Sequence, residues 1–158
     1  MDAYSHGRME HCVLAIDGLV CKTRCPTSKE VDFPLAYRNR NGGYGLVCFA
    51  GCDAHLKFHM FSCKCSGSTN GVLAWDLSSI KALLDDNALP LPYYFIGDEA
   101  FINTTKFLVP WGGSKLPEFK DSFNRAYHLS SMRQCIERAF ALLVQSWGIL
   151  CKASQLLH

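Results

Sequence analysis

Three acidic residues sit where carboxylates can do chemistry. Asp17 follows the apolar run HCVLAI (11–16), and Asp98 follows a second apolar run, YYFIG (93–97). Both runs read as strands, and in an open α/β sheet ligands bind outside the carboxyl ends of the strands. If the two strands are parallel neighbours, both carboxylates project from one edge. Glu137 lies inside the apolar C-terminal helix beside Ile136 and is the only acid after Asp121. A helix packed on the sheet brings it to the same edge. Three carboxylates gathered there repel unless a cation neutralises them. Mg²⁺ and Mn²⁺ take carboxylate and water oxygens. Two such ions ~3.5–4 Å apart activate the attacking oxygen and stabilise the leaving oxygen of a phosphodiester. Each acid also has a plainer role. Asp17-Gly18 is a turn signal, Asp98-Glu99 fits a solvated strand end, and Glu137 can pair with Arg133 or Arg138 along the helix.

The elements that must position these acids are legible as pattern. His11–Ile16 is a short strand stopped by Asp17-Gly18. Tyr44–Gly51 and Leu56–Cys63 are two further strands, and the tight Asp53-Ala54-His55 connection makes them an antiparallel hairpin. Gly67–Gly71 is a loop. Ala74–Leu84 carries Leu77, Ile80, Leu83 and Leu84 at helical spacing. Tyr93–Gly97 is short and wholly apolar, as a buried parallel strand should be. Phe107–Val109 is a candidate fifth strand, and Gly112–Phe119 a loop. A long helix runs from Asn124 or Ser130 to Trp147, with Met132, Ile136, Phe140, Leu143 and Trp147 on one stripe and Gly148 to stop it. The order β-β-β-α-β-β-α predicts an α/β mixed sheet flanked by helices.

Composition sets the class. The chain has 158 residues, 49% hydrophobic and 19% charged, with a formal net charge of +2. That excludes a disordered chain and is sized for one domain. The near-neutral balance neither requires nor excludes nucleic acid. No apolar run approaches the ~18 residues of a membrane span, and MDAYSHGRMEH lacks the apolar core of a signal peptide. An intracellular protein is expected. The nine cysteines, several inside apolar runs, are expected to be buried thiols of a reducing compartment. Cys21/Cys25 and Cys48/Cys52 have the C-x₃-C spacing of zinc knuckles, but the second pair lies within LVCFAGC, a continuous strand-like run.

Taken in order, AIDG (15–18), SGST (66–69), YYFIGDEAF (93–101) and FNRAYHLSSMRQCIERAFALLVQSWGIL (123–150) resemble the catalytic domain of Harbinger/PIF-type transposases, members of the DDE superfamily. The resemblance runs from about His11 to Leu150. It implies a ribonuclease H-like fold, with Asp17, Asp98 and Glu137 as first, second and third catalytic acids and metal ligands. It implies Mg²⁺ or Mn²⁺, two ions, with Asp17 and Asp98 sharing one and Glu137 helping to hold the other. The implied reaction is hydrolysis of phosphodiesters at transposon ends and joining of the freed 3′-hydroxyls to target DNA. Implied partners are DNA, a separate DNA-binding accessory protein and further copies of the chain, in the nucleus.

Asn124 and Arg125 match the family's Asn-Arg segment. Lys22, Arg24, Arg38, Arg40, Arg125 and Arg138 are weaker candidates for contacts to the DNA backbone. Trp75, Trp111 and Trp147 read as packing aromatics rather than base-stacking platforms. Two departures stand out. Gly71 follows Ser68-Thr69-Asn70 where many relatives carry an acid. Residues 1–10 and 151–158 read as a short lead-in and tail around a catalytic core of 11–150, shortened relative to the family. A catalytically inactive transposon-derived remnant, or a domesticated binding module of the same fold, is the competing expectation.

Overall fold

The computed structural model describes residues 9–86, 88–129 and 132–147. Five strands form one sheet: β1 (Cys12–Thr23), β2 (Tyr44–Cys52), β3 (Phe58–Ser66), β4 (Tyr94–Ile96) and β5 (Phe107–Leu108). Their spatial order is β3-β2-β1-β4-β5. β1, β2 and β3 pair antiparallel, while β4 runs parallel to β1 and β5 parallel to β4. The helices are α1 (Gly71–Asp76), α2 (Ser79–Asp85), α3 (Glu118–Leu129) and α4 (Met132–Ser146). This is the mixed α/β order read from the sequence, with each predicted helix divided in two.

The pleat sends alternate residues to opposite faces, and each face buries its own core. On one, Ala15, Ala50, Cys52 and Ile96 meet Cys135, Ile136, Ala139 and Phe140 of α4 and Tyr127 of α3. On the other, Leu14, Ile16, Phe49, Phe95 and Phe107 meet Ala74 and Trp75 of α1 and Ile80 of α2. Trp75 stacks on Phe107 with ring centroids 5.3 Å apart, and Phe101 packs edge-on against both. Among the described residues no helix is long and apolar enough to cross a membrane.

Four expectations change. β1 does not stop at Ile16; it continues through Asp17-Gly18 to Thr23. β2 offers a continuous ladder, Ala15↔Cys52 through Thr23↔Tyr44, and ladder pairing overrides the local turn preference. The predicted 74–84 helix breaks at Leu77-Ser78, because the Ser78 hydroxyl accepts the Lys81 N–H (3.1 Å) and starts a new helix. Asn70 caps α1 in the same way, accepting the Val72 N–H at 2.9 Å. The C-terminal helix is also two, and α3 begins at Glu118, inside the segment read as a loop; its first-turn acids Glu118 and Asp121 suit a helix N-terminus. Gly148 and the 151–158 tail lie outside the described residues.

The cysteines change as well. Cys48 and Cys63 face each other across the β2–β3 ladder, with Cα atoms 4.2 Å apart, and form a disulfide. Cys12, Cys52, Cys65 and Cys135 are buried, but the expectation that every cysteine is a reduced thiol fails at this pair. The spacing C-x₁₄-C carries no signal; strand register alone brings the two sulfurs together.

Gly97 joins the sheet to the site. A Cβ there would strike the Phe107 ring, which Trp75 and Phe101 hold in place. Gly97→Ala is therefore expected to destabilise the fold by about 1–3 kcal/mol, read as a lower midpoint in thermal or urea denaturation.

Candidate active site

The site begins with strand register. Ala15 of β1 pairs with Ile96 of β4. Asp17 and Asp98 each lie two residues further along a parallel strand. They therefore stand abreast, on the face of the sheet that carries Ala15 and Ile96. β4 ends at Ile96 while β1 runs on, so Asp17 is inside a strand yet past the last pairing with β4. Both carboxylates are held the same way. Oδ1 of Asp17 accepts the Gly18 N–H at 2.7 Å, and Oδ1 of Asp98 accepts the Glu99 N–H at 2.7 Å.

α4 supplies the opposite side. It buries Cys135, Ile136, Ala139 and Phe140 against the sheet. Arg133 and Glu137, one turn apart, lie at the rim of that contact. The Arg133 guanidinium reaches Glu137 Oε1 at 2.5 Å and Asp98 Oδ1 at 3.8 Å. One arginine thus bridges the second and third acids. The sequence named Arg133 only as a plain partner for Glu137; its tie to Asp98 needed the packing of α4.

The electrostatics follow. Burial raises the Asp17 carboxyl above its ordinary value. The Gly18 N–H opposes the rise, the Asp98 charge adds to it, Arg133 opposes it and Glu137 adds again. The three acids and Arg133 therefore share one field. Tyr127 of α3 completes the frame. It is 1% exposed and its hydroxyl donates to the Gly97 carbonyl, directly before Asp98. Burial pushes its phenol above the usual range. Nothing in the sequence joins residues thirty positions apart, so Tyr127 was not among the expected site residues. Asn124, which was singled out, clamps Trp111 by both backbone polar atoms, each at 2.8 Å.

The expected DNA-contacting cations separate. Arg24 is engaged with both oxygens of Glu30 and holds that carboxyl down to about 2. Arg125 pairs with Asp121 at 2.9 Å on the exposed side of α3. Arg38 and Arg138 are exposed. Lys22 and Arg40 line a groove of about 1420 Å³ that opens at Asp17 and Asp98 and passes Tyr44, Thr105 and Lys106. The groove exists because β4 pairs only Cys12–Ala15, leaving the outer half of β1 without a neighbour on that side. Trp75 is buried, whereas Trp111 and Trp147 are 38% and 64% exposed, which corrects the expectation that all three are packing aromatics.

Among the described residues no group of three or more His, Cys, Asp or Glu side chains is placed to hold a metal ion. The donor chemistry is nevertheless that of a hard divalent cation. Two carboxylates stand abreast, a third lies on α4 nearby, and the ionised form of Asp17 is disfavoured first by burial and then by the like charges of Asp98 and Glu137. Arg133 supplies a neutralising charge between Asp98 and Glu137.

The architecture is a mixed α/β sheet in which Asp17, inside β1, and Asp98, just past β4, stand near Glu137 and Arg133 of α4. The sequence pattern of the DDE superfamily endonucleases matches residues 16–157, and the chain belongs to that family. Comparison with curated proteins and with solved structures finds no match.

Two outcomes test this frame. Asp17→Asn keeps the acceptor for Gly18 and removes a charge that burial and its neighbours oppose, so it should raise the melting temperature at neutral pH. Each kcal/mol gained corresponds to about 2–4 °C in a chain of this size. The sign follows from the raised pKa: ionised Asp17 costs stability above it, and that cost fades as pH falls and is gone below ~3.9. The advantage of the variant should vanish there, which a melting series against pH reads directly. Tyr127→Phe leaves the Gly97 carbonyl without this donor and should cost about 1–3 kcal/mol in denaturant unfolding.

Proposed function

We propose that this chain is a divalent-metal-dependent DNA nuclease of transposase type, Harbinger/PIF-like, built on a ribonuclease H-like catalytic core over 11–150. The observation that carries the reading is the Ala15↔Ile96 register, which sets Asp17 and Asp98 abreast on one face of the sheet. Asp17 and Asp98 would hold a shared ion and Glu137 would help to hold a second. Mg²⁺ or Mn²⁺ there supplies Lewis-acid activation of the attacking and leaving oxygens of a phosphodiester. The chain's own residues do the rest. The Gly18 and Glu99 amides fix the two aspartates. Arg133 balances the acidic cluster and stands beside the scissile position, where it can take a phosphate oxygen. Tyr127 holds the backbone that carries Asp98. Lys22 and Arg40 line the groove along which a DNA backbone would lie. Hydrolysis at transposon ends, strand transfer, an accessory DNA-binding protein, assembly of several copies and action in the nucleus complete the proposal.

One observation favours a second reading, an inactive remnant or domesticated binding module. Arg133 already bridges Asp98 and Glu137, and no three donors are gathered for a cation among the described residues. Nicking of supercoiled plasmid separates the two. The first reading expects cleavage in Mg²⁺ or Mn²⁺, none in EDTA, and loss to background in Asp98→Asn. Equal nicking by Asp98→Asn assigns the activity to another source and removes the first reading. DNA binding with no nicking under either metal supports the second.

A further inference from the structure

A second cluster at this end of the molecule is aromatic and cationic. β5 reaches Leu108 level with Ile96, and the Gly97 N–H continues the ladder to the Leu108 carbonyl at 3.1 Å. By the same count, Pro110 comes level with Asp98, and Trp111 is one residue beyond. Trp111 is 38% exposed. Its backbone is fixed at both polar atoms: the Trp111 N–H donates to Asn124 Oδ1, and Asn124 Nδ2 donates to the Trp111 carbonyl, both at 2.8 Å. Lys120 Nζ stands 3.8 Å from the centre of the Trp111 ring and 5.9 Å from that of Phe119, which is 68% exposed.

These residues are held in register with the acids by one helix. Lys120, Asn124 and Tyr127 follow one another along α3 at about one turn, ~5.4 Å, per step. Lys120 meets the indole, Asn124 the Trp111 backbone, and Tyr127 the Gly97 carbonyl before Asp98. The arrangement has the parts that bind single-stranded nucleic acid: a partly exposed ring on which a base can stack, and a cation over one face of that ring that can reach the phosphate. Paired bases already stack on their neighbours, so such a platform selects an unpaired one.

We propose that Trp111 is a stacking platform for an unpaired nucleobase adjoining the site, with Lys120 on its phosphate. The proposal rests on the DNA-processing reading for its biological sense, but its test needs no cleavage. The clamp engages the Trp111 backbone, so Trp111→Ala should fold and melt like the parent. In EDTA, a fluorescently labelled oligothymidylate should bind Trp111→Ala about tenfold more weakly than the parent, the order expected for one lost stacked base. A blunt duplex should bind the two equally. Trp111→Phe should recover most of the loss, and Lys120→Gln should lower the salt dependence by about one contact. Trp147→Ala, just past the end of α4, should bind like the parent. Equal affinity of Trp111→Ala and parent for the oligothymidylate overturns the proposal, as does an equal loss for duplex and single strand. Metal-dependent nicking with unchanged binding by Trp111→Ala leaves the nuclease standing and removes the platform. Weakened binding without nicking does the reverse.

Discussion

The parallel pairing of β1 with β4 is the constraint on which the site depends. It brings together residues about eighty positions apart, and it lasts only from Cys12 to Ala15. That brevity has two consequences. Past Ala15↔Ile96 the two strands carry Asp17 and Asp98 side by side with no further ladder between them. β1 then continues against β2 alone, which leaves its other side open as a groove. Closing so long a loop is entropically costly. Burial of Ala15 and Ile96 under Ile136 and Ala139 of α4 offsets it. The same contact that secures the register also delivers Glu137. A slip of one residue would turn Asp98 to the opposite face.

The charge arrangement is poorly optimised for stability. Asp17 is half-buried, and loss of solvent, with the Asp98 and Glu137 charges adding to it, raises its carboxyl. Arg133 meets two of the three acids and softens the repulsion without removing it. Sites that bind cations or phosphate commonly carry such unrelieved charge, because the ligand supplies what the protein lacks. Around it the frame is rigid. Tyr127 and Asn124 lie one turn apart on α3 and fasten the ends of β4 and β5. Gly97 leaves room for the Phe107 ring where any side chain would collide.

Legibility varied with the range of the interaction involved. The hairpin of β2 and β3 was legible because alternation and a tight turn are local. The break between α1 and α2 was not, since Ser78 reads equally as a helix-surface residue and as a cap until Lys81 donates to it. The end of β1 was misread for the same reason in reverse: Asp17-Gly18 is a turn signal in isolation and a strand segment when β2 lies alongside. The start of α3 was hidden by the glycines and Pro117 before it. The Cys48–Cys63 bond was invisible because spacing says nothing about register across a hairpin.

By itself the sequence determined the class of the chain, the alternation of strands and helices, and three candidate acids, two after apolar runs and one inside an apolar helix. These depend on residue type and short-range periodicity, which the chain carries wherever it folds. Tertiary structure alone decided which acids meet, which cation stands between them and which aromatic ring is left exposed. Asp98 becomes a neighbour of Arg133 only through the packing of α4, Gly97 a partner of Tyr127 only through α3, and Trp111 a fixed surface ring only through Asn124. Those contacts join residues far apart in the chain, and only the burial of both sheet faces selects them.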